Sequence, residues 1–119
     1  ARDPATIISG NNQQRVIGIT AATVRFQDLQ IVSGRVTQGM CPAGGGARID
    51  DADTSFVNCW IRDCYASATG PFGVQCGSGG GLYVWGTGSL RLEGCRFEDN
   101  MSDLDASLSL RCGAVLLYW

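Results

Sequence analysis

From Gly79 to Asn100 the chain reads GGGLYVWGTGSLRLEGCRFEDN, and from Gly44 to Cys64 it reads GGGARIDDADTSFVNCWIRDC. Set one above the other, the two stretches match along their length, the later one being one residue longer in its turn. Upstream, VRFQDLQIVSG from Val24 to Gly34 matches LRLEGCRFEDN from Leu90 to Asn100 without a gap. Downstream, RCGAVLLYW from Arg111 to Trp119 reads as a restart of the glycine-led strand. Cys41, Cys76 and Cys112 each precede such a strand at spacings of 35 and 36, and Leu29, Cys59 and Cys95 share one equivalent position at spacings of 30 and 36. Ile31, Ile61 and Phe97 share another, as do Phe26, Phe56 and Leu92. A period of 30 to 36 residues marks a repeat array.

Inside a repeat the apolar residues alternate. Val24 and Phe26, then Leu29 and Ile31, are separated by Arg25, Gln27 and Gln30, and Leu90, Leu92, Cys95 and Phe97 follow the same scheme. Period-two alternation with β-branched and aromatic residues describes half-buried strands. The alternation breaks between Leu92 and Cys95, which predicts a corner at Glu93-Gly94, with Asp28 and Asn58 near the same corner in other repeats. No stretch carries a sustained helical apolar period with caps. The expected fold is all-β: one right-handed parallel β-helix segment over residues 1–119. It divides into a partial coil at 6–40, coils at 41–75 and 76–111, and the start of a further coil at 112–119. Equivalent residues then stack at about 4.8 Å, the spacing of strands in a sheet, and the many glycines are expected to supply positive-φ corners.

Composition narrows the function. Hydrophobic residues make up 45% and charged residues 17%, which suits a packed core rather than a disordered chain. The nine basic residues are all arginine and are scattered, and net charge is −2, so neither nucleic acid nor an anionic membrane is an expected partner. No apolar run approaches the length of a membrane helix, so membrane insertion is not expected either. The start, Ala1-Arg2-Asp3-Pro4, has neither Met nor an apolar leader, which reads as a processed protein or the ordered part of a longer one. Six cysteines, Cys41, Cys59, Cys64, Cys76, Cys95 and Cys112, without His or C-x-x-C, favour disulfides over zinc and hence an extracellular, oxidising setting. Six cysteines allow 15 pairings, which sequence alone does not resolve. The shared position of Cys59 and Cys95 makes them the favoured inter-coil pair, the alternative being two small thiols buried in the apolar stack.

These residues resemble the polymorphic outer membrane protein repeat of bacterial autotransporter passengers and related secreted β-helix proteins. That repeat has a G-G-A-[ILV] strand start and an F-x-x-N strand end. Phe97-Glu98-Asp99-Asn100 matches the second fully, and Gly80-Gly81-Leu82-Tyr83 and Cys112-Gly113-Ala114-Val115 are close variants of the first. Ile61-Arg62-Asp63-Cys64 and Ile31-Val32-Ser33-Gly34 match the strand end in position but not in residues. The resemblance implies the β-helix fold and a cell-surface or secreted location, in a family that includes adhesins and structural proteins.

Candidate sites are few. Asp50, Asp51 and Asp53 form the densest acidic group and are the candidate Ca²⁺ ligands, although their spacing fits no EF-hand and turn carboxylates are ordinarily solvated. Without His or Lys, a catalytic site is not expected, and neither is a cofactor. Asn100-Met101-Ser102 is a candidate glycosylation triplet, with backbone bonding at a corner as the competing role of Asn100. Trp60, Tyr83, Trp85, Tyr118 and Trp119 could stack carbohydrate but read more readily as packing, or as an outward ladder of Tyr83, Trp85 and Tyr118. Ile7 and Ile8 at one end, and Leu116, Leu117, Tyr118 and Trp119 at the other, leave apolar ends that need either another copy, head to tail, or further coils of the same polypeptide. The expected function is that of an extracellular structural protein, as a filament subunit or a segment of a larger surface adhesin. The alternative is a carbohydrate-acting enzyme or carbohydrate-binding module, which would gather acidic residues on one concave face.

Overall fold

The structure, a computed structural model, describes residues 4–38, 43–67, 79–102, 108–111 and 114–118, the last two stretches by their backbone alone. It is all-β, and among the described residues every strand pair is parallel and no helix occurs. One sheet stacks β1 (Thr6–Ser9), β4 (Leu29–Val32), β8 (Trp60–Arg62) and β12 (Arg96–Glu98) in that order. A second stacks β2 (Ile17–Thr20), β6 (Ala47–Asp50), β10 (Leu82–Trp85) and β14 (Leu108–Arg111). A third stacks β3 (Thr23–Gln27), β7 (Asp53–Val57), β11 (Ser89–Glu93) and β15 (Ala114–Tyr118). The fourth holds β5 (Arg35–Val36), β9 (Tyr65–Ala66) and β13 (Met101–Ser102). Each sheet therefore takes one strand from each successive repeat.

The register is the one the repeat implies. Ile31 pairs with Ile61 and Ile61 with Phe97, while Phe26 pairs with Phe56 and Phe56 with Leu92. These columns point inward and form the core with Ile49, Val84 and Leu90. Phe26 and Phe56 stack with ring centroids 5.1 Å apart, the offset expected of aromatics one strand spacing from each other. The extra residue of the later repeat falls in the turn between β10 and β11, outside the paired strands.

Three columns of left-handed residues turn the chain. Asp28, Asn58 and Gly94 have φ of 57°, 51° and 61°, at the corner the broken alternation predicts. Ser33, Asp63 and Asp99 (53°, 55° and 54°) form a second, and Ala21, Asp51 and Gly86 (51°, 52° and 107°) a third. Asn and Asp tolerate this region because their short polar side chains bond locally, and Asn58 donates to Asp28 across the layers at 2.8 Å. Most corners are thus not glycine, contrary to expectation. The strand-leading glycines answer to crowding instead: a Cβ on Gly45 would meet the Tyr65 carbonyl, and one on its equivalent Gly80 the Met101 carbonyl.

Asn100 closes the second corner column from inside. It is buried, its Nδ2 donates to the Ile61 carbonyl at 2.8 Å, and its Oδ1 accepts the Cys64 amide at 3.1 Å. The side chain thereby bonds two backbone groups of the layer below.

Two further expectations change. The sequence places Gly113–Trp119 over Leu82–Trp85, but Leu108–Arg111 takes that position and Ala114–Tyr118 pairs with Ser89–Glu93 instead. The alternation of Leu108 and Leu110, in register with Leu82 and Val84, decides this, and the glycine landmark misled. Tyr118 is accordingly in a different sheet from Tyr83 and Trp85, and the expected ladder of the three does not form.

Cys59, Cys64 and Cys95 are free, buried thiols, so the favoured Cys59–Cys95 bridge is absent although the two are adjacent in one column. In-register parallel neighbours hold their Cβ atoms about one strand spacing apart, roughly 4.8 Å, whereas a disulfide draws them to about 3.8 Å. The sulfur atoms lie instead against carbonyls of the layer below, Cys59 Sγ 3.7 Å from Phe26 O and Cys95 Sγ 3.2 Å from Phe56 O. Cys41, Cys76 and Cys112 lie outside the described residues.

Two outcomes follow from these interior groups. Asn100→Ala should cost about 1–3 kcal/mol in urea unfolding, because it takes the acceptor from the buried Cys64 amide; a loss below about 0.5 kcal/mol would show that the corner closes without it. Cys59 is pushed well above the ordinary thiol range by its hydrogen bond to Cys95 and by burial, and burial raises Cys64 to about 11. Both should therefore resist iodoacetamide in mildly alkaline buffer until urea unfolds the chain, read by mass spectrometry. Equal labelling of the folded and unfolded chain would contradict their placement.

Candidate functional site

The columns are not equally closed along their length. In the middle layers Ile31, Ile49, Phe56 and Ile61 are fully buried. In the first layer the residues beneath them are not: Ile8, which pairs with Ile31, is 39% exposed, and Ile17, Ile19, Val24 and Phe26 are all half-buried. β1, β2, β3 and β5 are the terminal strands of their sheets on this side. The result is a continuous end surface in which apolar side chains from three sheets sit beside strand edges.

The sequence singles out both Ile7 and Ile8, and the structure separates them. Ile8 terminates the inward column of Ile31 and Ile61, whereas Ile7 pairs with Gln30, alternates to the opposite face and is 54% exposed there. Val24 and Phe26 were marked as strand residues but not as part of an end, and Ile17 and Ile19 were not marked, although their inward alternation could have placed all four there. At the other end, Leu116, Leu117 and Tyr118 pair along the backbone with Arg91, Leu92 and Glu93. Trp119 lies outside the described residues.

The outer faces carry charge in matched pairs. Arg48 bonds Asp50 at 3.0 Å, Arg62 bonds Asp63 at 2.8 Å and Arg91 bonds Glu93 at 3.3 Å. Exposed pairs of this kind contribute little stability, but they leave no cluster of unopposed carboxylates. Two arginines also stack on Trp60, Arg96 at 3.8 Å and Arg62 at 5.0 Å from the ring centroid, while Arg48 lies over Tyr83 and Arg35 over Tyr65. Rings covered by guanidinium groups are not an open platform for sugar. Trp85, 49% exposed, is the large exposed aromatic of this set.

The Ca²⁺ reading of Asp50, Asp51 and Asp53 is corrected by what each carboxylate does. Asp50 faces Arg48, and Asp51 Oδ1 accepts the Thr87 amide at 3.1 Å in space that a Cβ on Gly86 would occupy. Asp53 Oδ1 accepts the amide and the hydroxyl of Ser89, both at 2.9 Å, and these bonds hold its carboxyl below the ordinary carboxylate range. Asp50 is thus paired within its own strand, Asp51 and Asp53 hold the turn above, and no group of three metal-ligating side chains occurs among the described residues. Asn100 is likewise corrected as a glycan acceptor, since the nitrogen that would carry the sugar is buried and bonded to Ile61.

One open cavity adjoins the first layer, between the turn at Asn12–Arg15 and the stretch Arg35–Gln38. Arg15 is anchored in its wall, with Nε donating to Gly44 O and Nη2 to Ala43 O, both at 3.0 Å. Burial lowers its guanidinium from the ordinary value, Arg48 acts in the same direction and Asp50 opposes. The sequence does not mark this cavity, because the Asn12–Arg15 turn lies outside the aligned repeat and meets β5 only through the path of the chain.

No family model, curated protein or solved structure matches the chain.

Proposed function

We propose that the four sheets are the faces of a right-handed parallel β-helix, and that the protein is an extracellular structural element that stacks end to end. It would serve as a subunit of a filament or surface assembly, or as a segment of a larger surface adhesin. The observation that carries this reading is the open first layer: Ile8, Ile17, Ile19, Val24 and Phe26 end columns that are closed one layer further in. The cheapest cover for such a surface is another layer of the same kind, supplied by a second copy or by further coils of one polypeptide, because it meets each column with a column and each strand edge with a strand. If the cover removes roughly 300 Å² of apolar surface on each side, it contributes on the order of 10 kcal/mol before ordering costs. A contact of unlike ends propagates as an open filament. The resemblance of Phe97-Glu98-Asp99-Asn100 and of the glycine-led strand starts to the repeat of secreted β-helix proteins supports the extracellular setting.

Sedimentation and electron microscopy of the full chain test the proposal. The parent chain should form concentration-dependent end-to-end assemblies, and Ile8→Asp should weaken association by about tenfold or more, since it places a charge in the closing contact, with circular dichroism unchanged. A parent chain that stays monomeric at high concentration, with Ile8 open to water, would defeat the proposal.

A further inference from the structure

The outer arginines of the middle layers have partners. Arg48, Arg62, Arg91 and Arg96 each lie beside a carboxylate, and Arg25 bonds Gln27. Arg15 and Arg35 make no ion pair among the described residues, and both line the same cavity, of about 470 Å³. The cavity lies where the first sheet alone continues by one strand, β1, beyond the layer in which the other three sheets end at β2, β3 and β5. On the open side of β5 the Arg35 amide bonds the Gln14 carbonyl at 2.9 Å, and the Asn12–Arg15 turn forms the facing wall.

Both guanidinium groups are fixed with donors to spare. Arginine has five N–H donors in one plane. Arg15 spends two of them on Gly44 and Ala43, which pins the group without neutralising it. Arg35 stacks on Tyr65 at 4.7 Å, which uses the face of its guanidinium and leaves the in-plane donors. No carboxylate lines the cavity among the described residues, and its other polar walls are Thr37 and amide side chains, Asn12, Gln14 and Gln38 among them. An amide presents a donor and an acceptor side by side, which suits vicinal hydroxyls; a fixed arginine suits a carboxylate or sulfate.

We propose that this cavity binds one acidic sugar unit, a hydroxyl-rich ring bearing a carboxylate or a sulfate, with Arg15 and Arg35 on its charge and the amides on its hydroxyls. A densely charged polymer such as nucleic acid is not favoured, because net charge is −2 and no basic stripe extends beyond the cavity. The site does not rest on end-to-end stacking but adjoins the end that stacking would cover, and binding is therefore measured on both the parent chain and the Ile8→Asp chain, so that loss of assembly and loss of binding are read separately.

Calorimetric titration of the full chain with a uronate trisaccharide, a sulfated galactose trisaccharide, the neutral galactose trisaccharide and sodium sulfate tests the site. At least one acidic sugar should bind with Kd of about 1 mM or tighter, and both the neutral sugar and free sulfate should bind about tenfold more weakly or worse. Arg35→Gln should weaken the acidic sugar by about tenfold, Gln38→Ala, at an exposed position, should weaken it less, and Arg91→Gln on the outer face should leave it unchanged. Sulfate binding as tightly as the sugars would overturn the saccharide assignment. Equal binding of neutral and acidic sugars, an Arg35→Gln chain that binds like the parent, or no binding of any probe would overturn the site.

Discussion

In-register parallel stacking is the constraint on which everything else depends. When strands of successive repeats pair residue above residue, as Ile31, Ile61 and Phe97 do, each layer must turn where the layer below turns. A corner is therefore a column of residues that can all adopt the left-handed conformation. Ser33, Asp63 and Asp99 do so within 2° of φ of one another, although one is a serine and two are aspartates. Variation in repeat length is expelled from the strands: β7 and β11 keep perfect register while the turn before β11 takes an extra residue. The pairing tolerates changes of side chain but not a shift of one residue, which would exchange the inner and outer faces.

Stacking also explains the side chains that look functional and are not. An outward column places like residues about 4.8 Å apart, so charges along it would repel unless neutralised within their own strand. The pairs Arg48–Asp50, Arg91–Glu93 and Arg96–Glu98, each two residues apart on one face, do this. Asp51 and Asp53 act across the layers instead, each accepting backbone N–H groups of the turn above. The same geometry sets Cys59 and Cys95 in line as buried thiols, each sulfur against a carbonyl of the layer below.

The columns of Ile61 and Phe56, the corner at Asp28, Asn58 and Gly94, and the longer turn before β11 were all legible in the sequence, because alternation and spacing encode register directly. The corner at Ser33, Asp63 and Asp99 was not, since a lone Ser or Asp at a strand end carries no glycine signal. The last two strands were misplaced for a related reason: a glycine was read as the landmark of a strand start, whereas the alternation of Leu108 and Leu110 was the stronger guide. Asn100 was seen as a glycan acceptor and as a corner residue, and burial decided for the corner. The cavity was invisible because Arg15 and Arg35, 20 residues apart, meet only through the path of the turn between β1 and β2.

Edge strands that must remain unpaired usually carry a charge, a proline or a bulge that repels a further strand. The first layer here is lightly defended. Thr6–Ser9 reads TIIS and Ile17–Thr20 reads IGIT, with no charge in either, and Thr23–Gln27 has a single arginine on its outer face. Elsewhere the chain is generous with such charges, placing Arg48, Arg62 and Arg91 on strands that are already paired on both sides. Charge is thus concentrated where it can do nothing to prevent pairing and is sparse along the edge where it could. The side chains at that edge alternate in the register of the layer above, Ile17 beneath Ala47 and Ile19 beneath Ile49, so a further strand laid against it would find both its hydrogen bonds and its apolar partners already in place.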